Sequence, residues 1–202
     1  MTAAVSGRTN WRRFALAAGV PVVAAGGLLV MMSQGALAAS FAVSGQDFKI
    51  SADRLDGTGF SQYGGVVKDA SGKQIPVSMS GIANAELTNL CQSVHVKDSP
   101  MSLTITAGTE KGQPAEATNL LIGMKDLSGD ATFTNINIGQ DAGTLTKGGA
   151  DAKGETGSFG QQSDKILIDG LKQTAVSTTA GTFKLTGLNL KLNFGSAPKE
   201  CF

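Results

Sequence analysis

The sequence predicts an all-β fold, and three observations carry that expectation. Where apolar periodicity is visible its period is two residues, as on a half-buried strand, and not 3.6. The runs are short and are punctuated by Gly, Asn, Asp and Ser clusters. After Ala39 no stretch carries apolar residues at i, i+3, i+4 and i+7 between a cap and a stop. The expected arrangement is a single antiparallel domain over residues 39–202, a sandwich or a curved and bulged sheet, preceded by an N-terminal apolar helix.

That helix belongs to residues 1–38. Arg8, Arg12 and Arg13 precede an apolar run from Phe14 to Met32, and Ala36-Leu37-Ala38 closes it with small residues. A basic region, an apolar region and an Ala-x-Ala exit form the grammar of an export signal, with the arginines held on the cytoplasmic side. About 20 apolar residues can also span a bilayer, so residues 14–32 serve as a single-pass anchor if they are retained. Gly19, Pro21, Gly26 and Gly27 weaken a permanent helix, and with the small-residue exit they favour cleavage. Arg12-Arg13 invites a twin-arginine reading, but the apolar run abuts the pair and ordinary secretion fits better. The expected location is secreted or cell-envelope, outside the cytoplasm.

Within the exported part, Phe41 alternates with Val43, Phe48 with Ile50, Val77 with Met79, Val94 with Val96, and Leu103 with Ile105. Gly57 to Gly65 reads as a glycine-rich turn region, and Ala83 to Leu90 as a single helical turn. In Ala131 to Ile138 the apolar set moves from odd to even positions, and in Phe183 to Phe194 it does so at Gly187. A one-residue slip turns side chains to the opposite face, so a bulge is the economical expectation at both places. Val77–Ile82, Leu121–Gly129 and Ile166–Leu171 each lead into another apolar stretch and read as successive hairpin or meander units. Residues 139–163 hold seven glycines and few apolar side chains, the composition of a mobile surface loop.

The charge balance excludes one class of partner. Seventeen basic side chains less the three arginines of the signal leave fourteen against sixteen acids, a net charge of about −2. No basic field remains to hold a polyanion, so nucleic acid is not an expected partner. Cys91 and Cys201 are the two cysteines; in an oxidising compartment an intramolecular bond is expected, with free or intermolecular thiols as the alternative. Their disulfide closes a loop of roughly 110 residues, worth on the order of 4–5 kcal/mol in the chain-entropy model.

Catalytic chemistry finds little purchase. His95 is the single histidine, so any triad must use it, and Val94-His95-Val96 alternation turns it away from the valines toward solvent. No serine has the flanking glycines of a nucleophile elbow. Asp53 with Asp56, Asp126 with Asp130, and Asp164 with Asp169 lack a histidine or calcium-loop spacing, so no metal is expected. Gly57-Thr58-Gly59 lacks the third glycine of a dinucleotide fingerprint, and no cofactor is implied.

The apolar faces carry the functional expectation. Leu188, Leu190, Leu192 and Phe194 share one side of a strand whose other side is Asn189, Lys191 and Asn193, with Phe183 and Leu185 leading into it. A one-sided strand buries its apolar face against a second sheet or keeps it for a ligand. Phe183, Leu185, Leu188, Leu190, Leu192 and Phe194 are therefore the candidate binding face, for an apolar or lipidic ligand or a partner protein. Self-association through edge strands is the alternative.

Trp11-Arg12-Arg13-Phe14, the run Phe48-Lys49-Ile50-Ser51-Ala52-Asp53-Arg54-Leu55 and the ending Glu200-Cys201-Phe202 resemble an uncharacterised family of exported proteins from Streptomyces and related actinobacteria. Members of that family are sometimes labelled cholesterol esterase. The missing elbow and lone histidine do not support that label, and the resemblance implies a secreted or envelope protein without an established activity.

Overall fold

The computed structural model describes residues 46–95, 100–150, 152–195 and 199–202. All lie in Ala38–Phe202, the second of two units into which the chain divides. The signal segment, the apolar run 14–32 and the expected Phe41–Val43 and Val96 positions fall outside the described residues. Among the described residues no helix is long and apolar enough to cross a membrane.

The fold is all-β and antiparallel. Its strands are β1 (Phe48–Lys68), β2 (Gln74–Thr88), β3 (Leu90–His95), β4 (Met101–Ala107), β5 (Ala115–Thr134), β6 (Asn137–Asp141), β7 (Phe159–Thr179), β8 (Thr182–Lys184) and β9 (Asn189–Phe194), with one 3-10 turn at Ala142–Thr144. They form a nine-stranded sheet in the order β6-β7-β5-β2-β1-β3-β4-β9, with β8 beside β5. A further β7–β1 pairing bends the sheet into a closed circuit of the four long strands β1, β2, β5 and β7. Of the two expected architectures, the curved sheet is the one found. The three self-similar stretches fall on β2, β5 and β7, the members that close the circuit with β1.

Period-two alternation places Leu55, Phe60, Ile82, Leu120, Ile122 and Ile168 inside this circuit, each 4% exposed or less. Full burial of such side chains stabilises by about 1.5–3 kcal/mol apiece. The interior is filled. The void bounded by Ile50, Leu55, Leu120, Ile122, Leu171 and Phe183 is about 10 Å³, whereas pockets for drug-sized ligands run to about 300–1,000 Å³.

Several expectations are corrected. Gly57–Gly65 is not a turn but the middle of β1, where Gly57 lets Ile82 and Ile166 approach from both neighbouring strands. Ala83–Leu90 is not helical: it ends β2, and Asn89 makes a left-handed corner with φ 54°. The slip in 131–138 is a second such corner, at Asn135 with φ 54°, which separates β5 from β6. β5 does bulge, but earlier, between Gly123 and Asp130. The slip at Gly187 is a turn between two strands rather than a bulge in one, with Gly187 at φ 68° and Leu188 N–H donating to Leu185 O.

The 139–163 segment is packed onto the circuit instead of standing free. Gln162 Oε1 accepts from Thr146 N at 2.9 Å, Asn119 Oδ1 accepts from Ala150 N at 3.1 Å, and Ser61 Oγ donates to Ala152 O at 2.7 Å. Its glycines serve close approach: a methyl group on Gly148 would collide with Ser61. Composition alone cannot tell a glycine that frees the chain from one that lets two backbones touch.

Candidate apolar binding surface

β2 and β3 run along β1 in one continuous register, with Arg54 opposite Thr88 and Ser51 opposite Cys91. Between them, at Asn89, the outer partner changes. β2 is flanked by β5, whereas β3 is flanked by β4, which in turn carries β9. The sheet forks at this corner. Asn89 tolerates the left-handed conformation better than most residues, and its amide donates to Asp53 Oδ2 at 3.1 Å. Backbone bonds from Asn89 N to Gly108 O and from Gly108 N to Thr186 O, both 2.8 Å, tie the fork to the segment before β9. β3, β4 and β9 thus leave the closed circuit as a three-stranded extension.

Register carries the core face out along that extension. One row reads Ala175, Phe48, Val94, Leu103, Leu192, and the next reads Gln173, Ile50, Gln92, Ile105, Leu190. Burial falls along the rows. Phe48 is 1% exposed and Val94 and Leu103 are half-buried, but Leu192 is 58% exposed; Ile105 is still buried where its neighbour Leu190 is 58% exposed. Phe194, opposite Met101, is 71% exposed, and Leu188 also stands in solvent. The outermost strand therefore keeps the core's pattern, and among the described residues no layer lies above it.

The opposite face of β3 is occupied by the end of the chain. Cys91 is bonded to Cys201, as the cysteine count predicts. Cys201 N–H donates to Ser93 Oγ at 3.0 Å, and Lys49 Nζ lies 2.9 Å from both Glu200 Oε2 and Phe202 O. The Phe202 ring receives the ammonium groups of Lys49 and Lys172 at 5.2 and 5.9 Å from its centroid. The described tail residues lie on the polar side.

The six residues proposed from sequence divide into two groups. Phe183 and Leu185 are half-buried and pack against the core, with Phe183 bounding the small internal void. Leu188, Leu190, Leu192 and Phe194 form the exposed strip. Sequence reasoning missed Met101 and Leu103, which extend the strip inward; their only signal was alternation, and the register with β9 was needed to place them.

The remaining candidates do not converge. His95 is half-buried rather than solvent-facing, and its Nδ1 lies 3.2 Å from the backbone carbonyl of Met101. Asp53 is bound by Asn89, Asp169 lies 3.6 Å from Arg54, and Asp164 is held by Lys147 at 2.6 Å and by Asn135 at 2.8 Å. The Lys147 ammonium and the Asn135 amide hold the Asp164 carboxyl below the usual aspartate range. Asp56, Glu86 and Glu116 stand in one cross-strand row that ends on Lys184, 2.9 Å from Glu116. Among the described residues no three His, Cys, Asp or Glu side chains form a group able to hold a metal ion.

Residues 44–202 match a family of unknown function, DUF6230. The chain belongs to this family. The DUF6230 match spans every strand described above, including the fork, the strip and both cysteines. No curated protein and no solved structure matches the chain.

Proposed function

We propose that this DUF6230 protein is a non-catalytic exported envelope protein that binds lipid through the strip Leu188, Leu190, Leu192 and Phe194. One observation carries the reading: β9 keeps the core's alternation beyond the core, and its Leu190, Leu192 and Phe194, with Leu188 just before it, are 54–71% exposed. Contiguous exposed apolar surface on a soluble domain marks an interaction site. The filled interior argues for surface contact rather than enclosure, because a void of about 10 Å³ holds no acyl chain. Protruding leucines and a phenylalanine suit shallow insertion into a lipid surface. The disulfide supports an oxidising, extracytoplasmic location. With the signal grammar of residues 1–38, it supports export to the cell envelope.

The test is co-sedimentation with vesicles of phosphatidylcholine and phosphatidylglycerol, comparing wild type with the double variant Leu190→Asn, Leu192→Asn. Each leucine moved from water into lipid contributes about 1–2 kcal/mol, so the variant is expected to partition at least about tenfold less. Equal partitioning would assign any lipid affinity elsewhere, residues 14–32 included.

A further inference from the structure

β9 is also an edge strand: β4 pairs with one side, and among the described residues nothing pairs with the other. Edge strands are templates for further pairing, and proteins blunt them with bulges, proline, charge or short length. The other edges here carry such devices. β6 is interrupted by a register shift between Ile138 and Gln140, the free end of β2 contains Pro76, and β5 beyond β2 carries bulges with Lys125, Asp126 and Asp130. β9 is short and carries one charge, Lys191, but it has no bulge or proline. Its six residues pair with β4 without a shift, and it contains no proline, glycine or acid.

We infer that β9 pairs antiparallel with β9 of a second copy of this chain, joining two sheets across a two-fold axis. Side-chain chemistry selects the register. Centring the axis on Lys191 would set the two ammonium groups opposite each other, which is unfavourable. Centring it on Leu192 sets Leu192 against itself, Leu190 against Phe194, and Lys191 against the neutral Asn193. A net charge of +1 on the whole chain, or about −2 without residues 1–38, adds little long-range repulsion between copies. In an isologous strand pair both copies present the same face upward. The pairing therefore doubles the leucine strip into one platform while leaving it open, and in this respect the inference rests on the lipid-binding reading.

Sedimentation velocity on wild type, Asn193→Lys and Asn193→Asp tests it, since Asn193 lies on the polar face and outside the strip. A six-residue pair is small beside a standard interface, so wild-type association is expected between about 10 µM and about 1 mM. Asn193→Lys faces Lys191 of the other copy and should weaken association about tenfold, whereas Asn193→Asp should strengthen it severalfold at low salt and lose that gain at high salt. A gain cannot come from misfolding. β9 amides should become more protected from hydrogen exchange as concentration rises. A monomer throughout would overturn the pairing, as would a dimer indifferent to both substitutions. So would β9 amides already protected in the monomer, which would give the edge to another segment of the same chain. Vesicle binding that persists in a strict monomer would remove this pairing alone and leave the lipid surface standing.

Discussion

Leu103 and Leu192 face each other across β4 and β9, yet Leu103 is half-buried and Leu192 is 58% exposed. The two leucines share chemistry and face but not energetic role. Leu192→Asn is expected to change stability by no more than about 0.5 kcal/mol, as for other exposed positions. Phe48→Ala, at the buried end of the same row, is expected to cost about 3–5 kcal/mol. Denaturant midpoints at unchanged slope measure both.

The Cys91–Cys201 bond spans 110 residues. Cys201→Ser should lower stability by about 4–5 kcal/mol if the chain-entropy account holds, and by less to the extent that the tail's contacts with Lys49 and Ser93 persist. Because the tail lies on the polar side of β3, vesicle binding by the folded variant should be unchanged. A variant that stays folded but stops binding lipid would place the tail in the binding surface.

The glycines of β1 and of the segment packed against it should respond unequally to alanine. Gly148→Ala drives a methyl group into Ser61, an overpacking expected to cost about 1–3 kcal/mol. At Gly64 an added methyl group meets nothing within 4 Å, so Gly64→Ala should be neutral within about 0.5 kcal/mol. Thermal melts of the two variants decide whether the segment is packed as described.

Asp164 gives the packed segment an acid dependence. Its carboxyl is held below the ordinary aspartate value of 3.8, first by the Lys147 ammonium and then by the Asn135 amide. A carboxylate with a lowered folded-state pKa contributes stability that is fully present above its unfolded value and disappears as pH falls through the folded one. Unfolding of wild type should therefore steepen below about pH 4. Asp164→Asn should lower stability at neutral pH and flatten that acid limb. An unchanged limb would show that the pair leaves the segment's stability untouched.

Much of the fold was legible because alternation is a local signal. Phe48, Ile50, Val94 and Leu103 announce strands by their own spacing, and two cysteines in a chain with the grammar of an export signal announce a bond. The corners were not legible. Asn89 and Asn135 carry left-handed conformations that composition does not declare, and Gly57 and Gly59 look like a turn although they admit neighbouring atoms. The strip was half legible: its alternation was visible, but Phe183 and Leu185 belong to the core. That division depends on Gly187 separating β8, which joins β5, from β9, which joins β4. Pairing partners far apart in sequence decide such matters, and no local pattern encodes them.

Whether the leucine side of β9 contacts lipid is read by a nitroxide placed through Leu192→Cys. On adding phosphatidylcholine–phosphatidylglycerol vesicles, its collisions with oxygen should rise and those with a water-soluble nickel chelate should fall, while a label at Lys191→Cys on the opposite face stays accessible to the chelate. Equal accessibility at both positions, before and after lipid, would contradict the account.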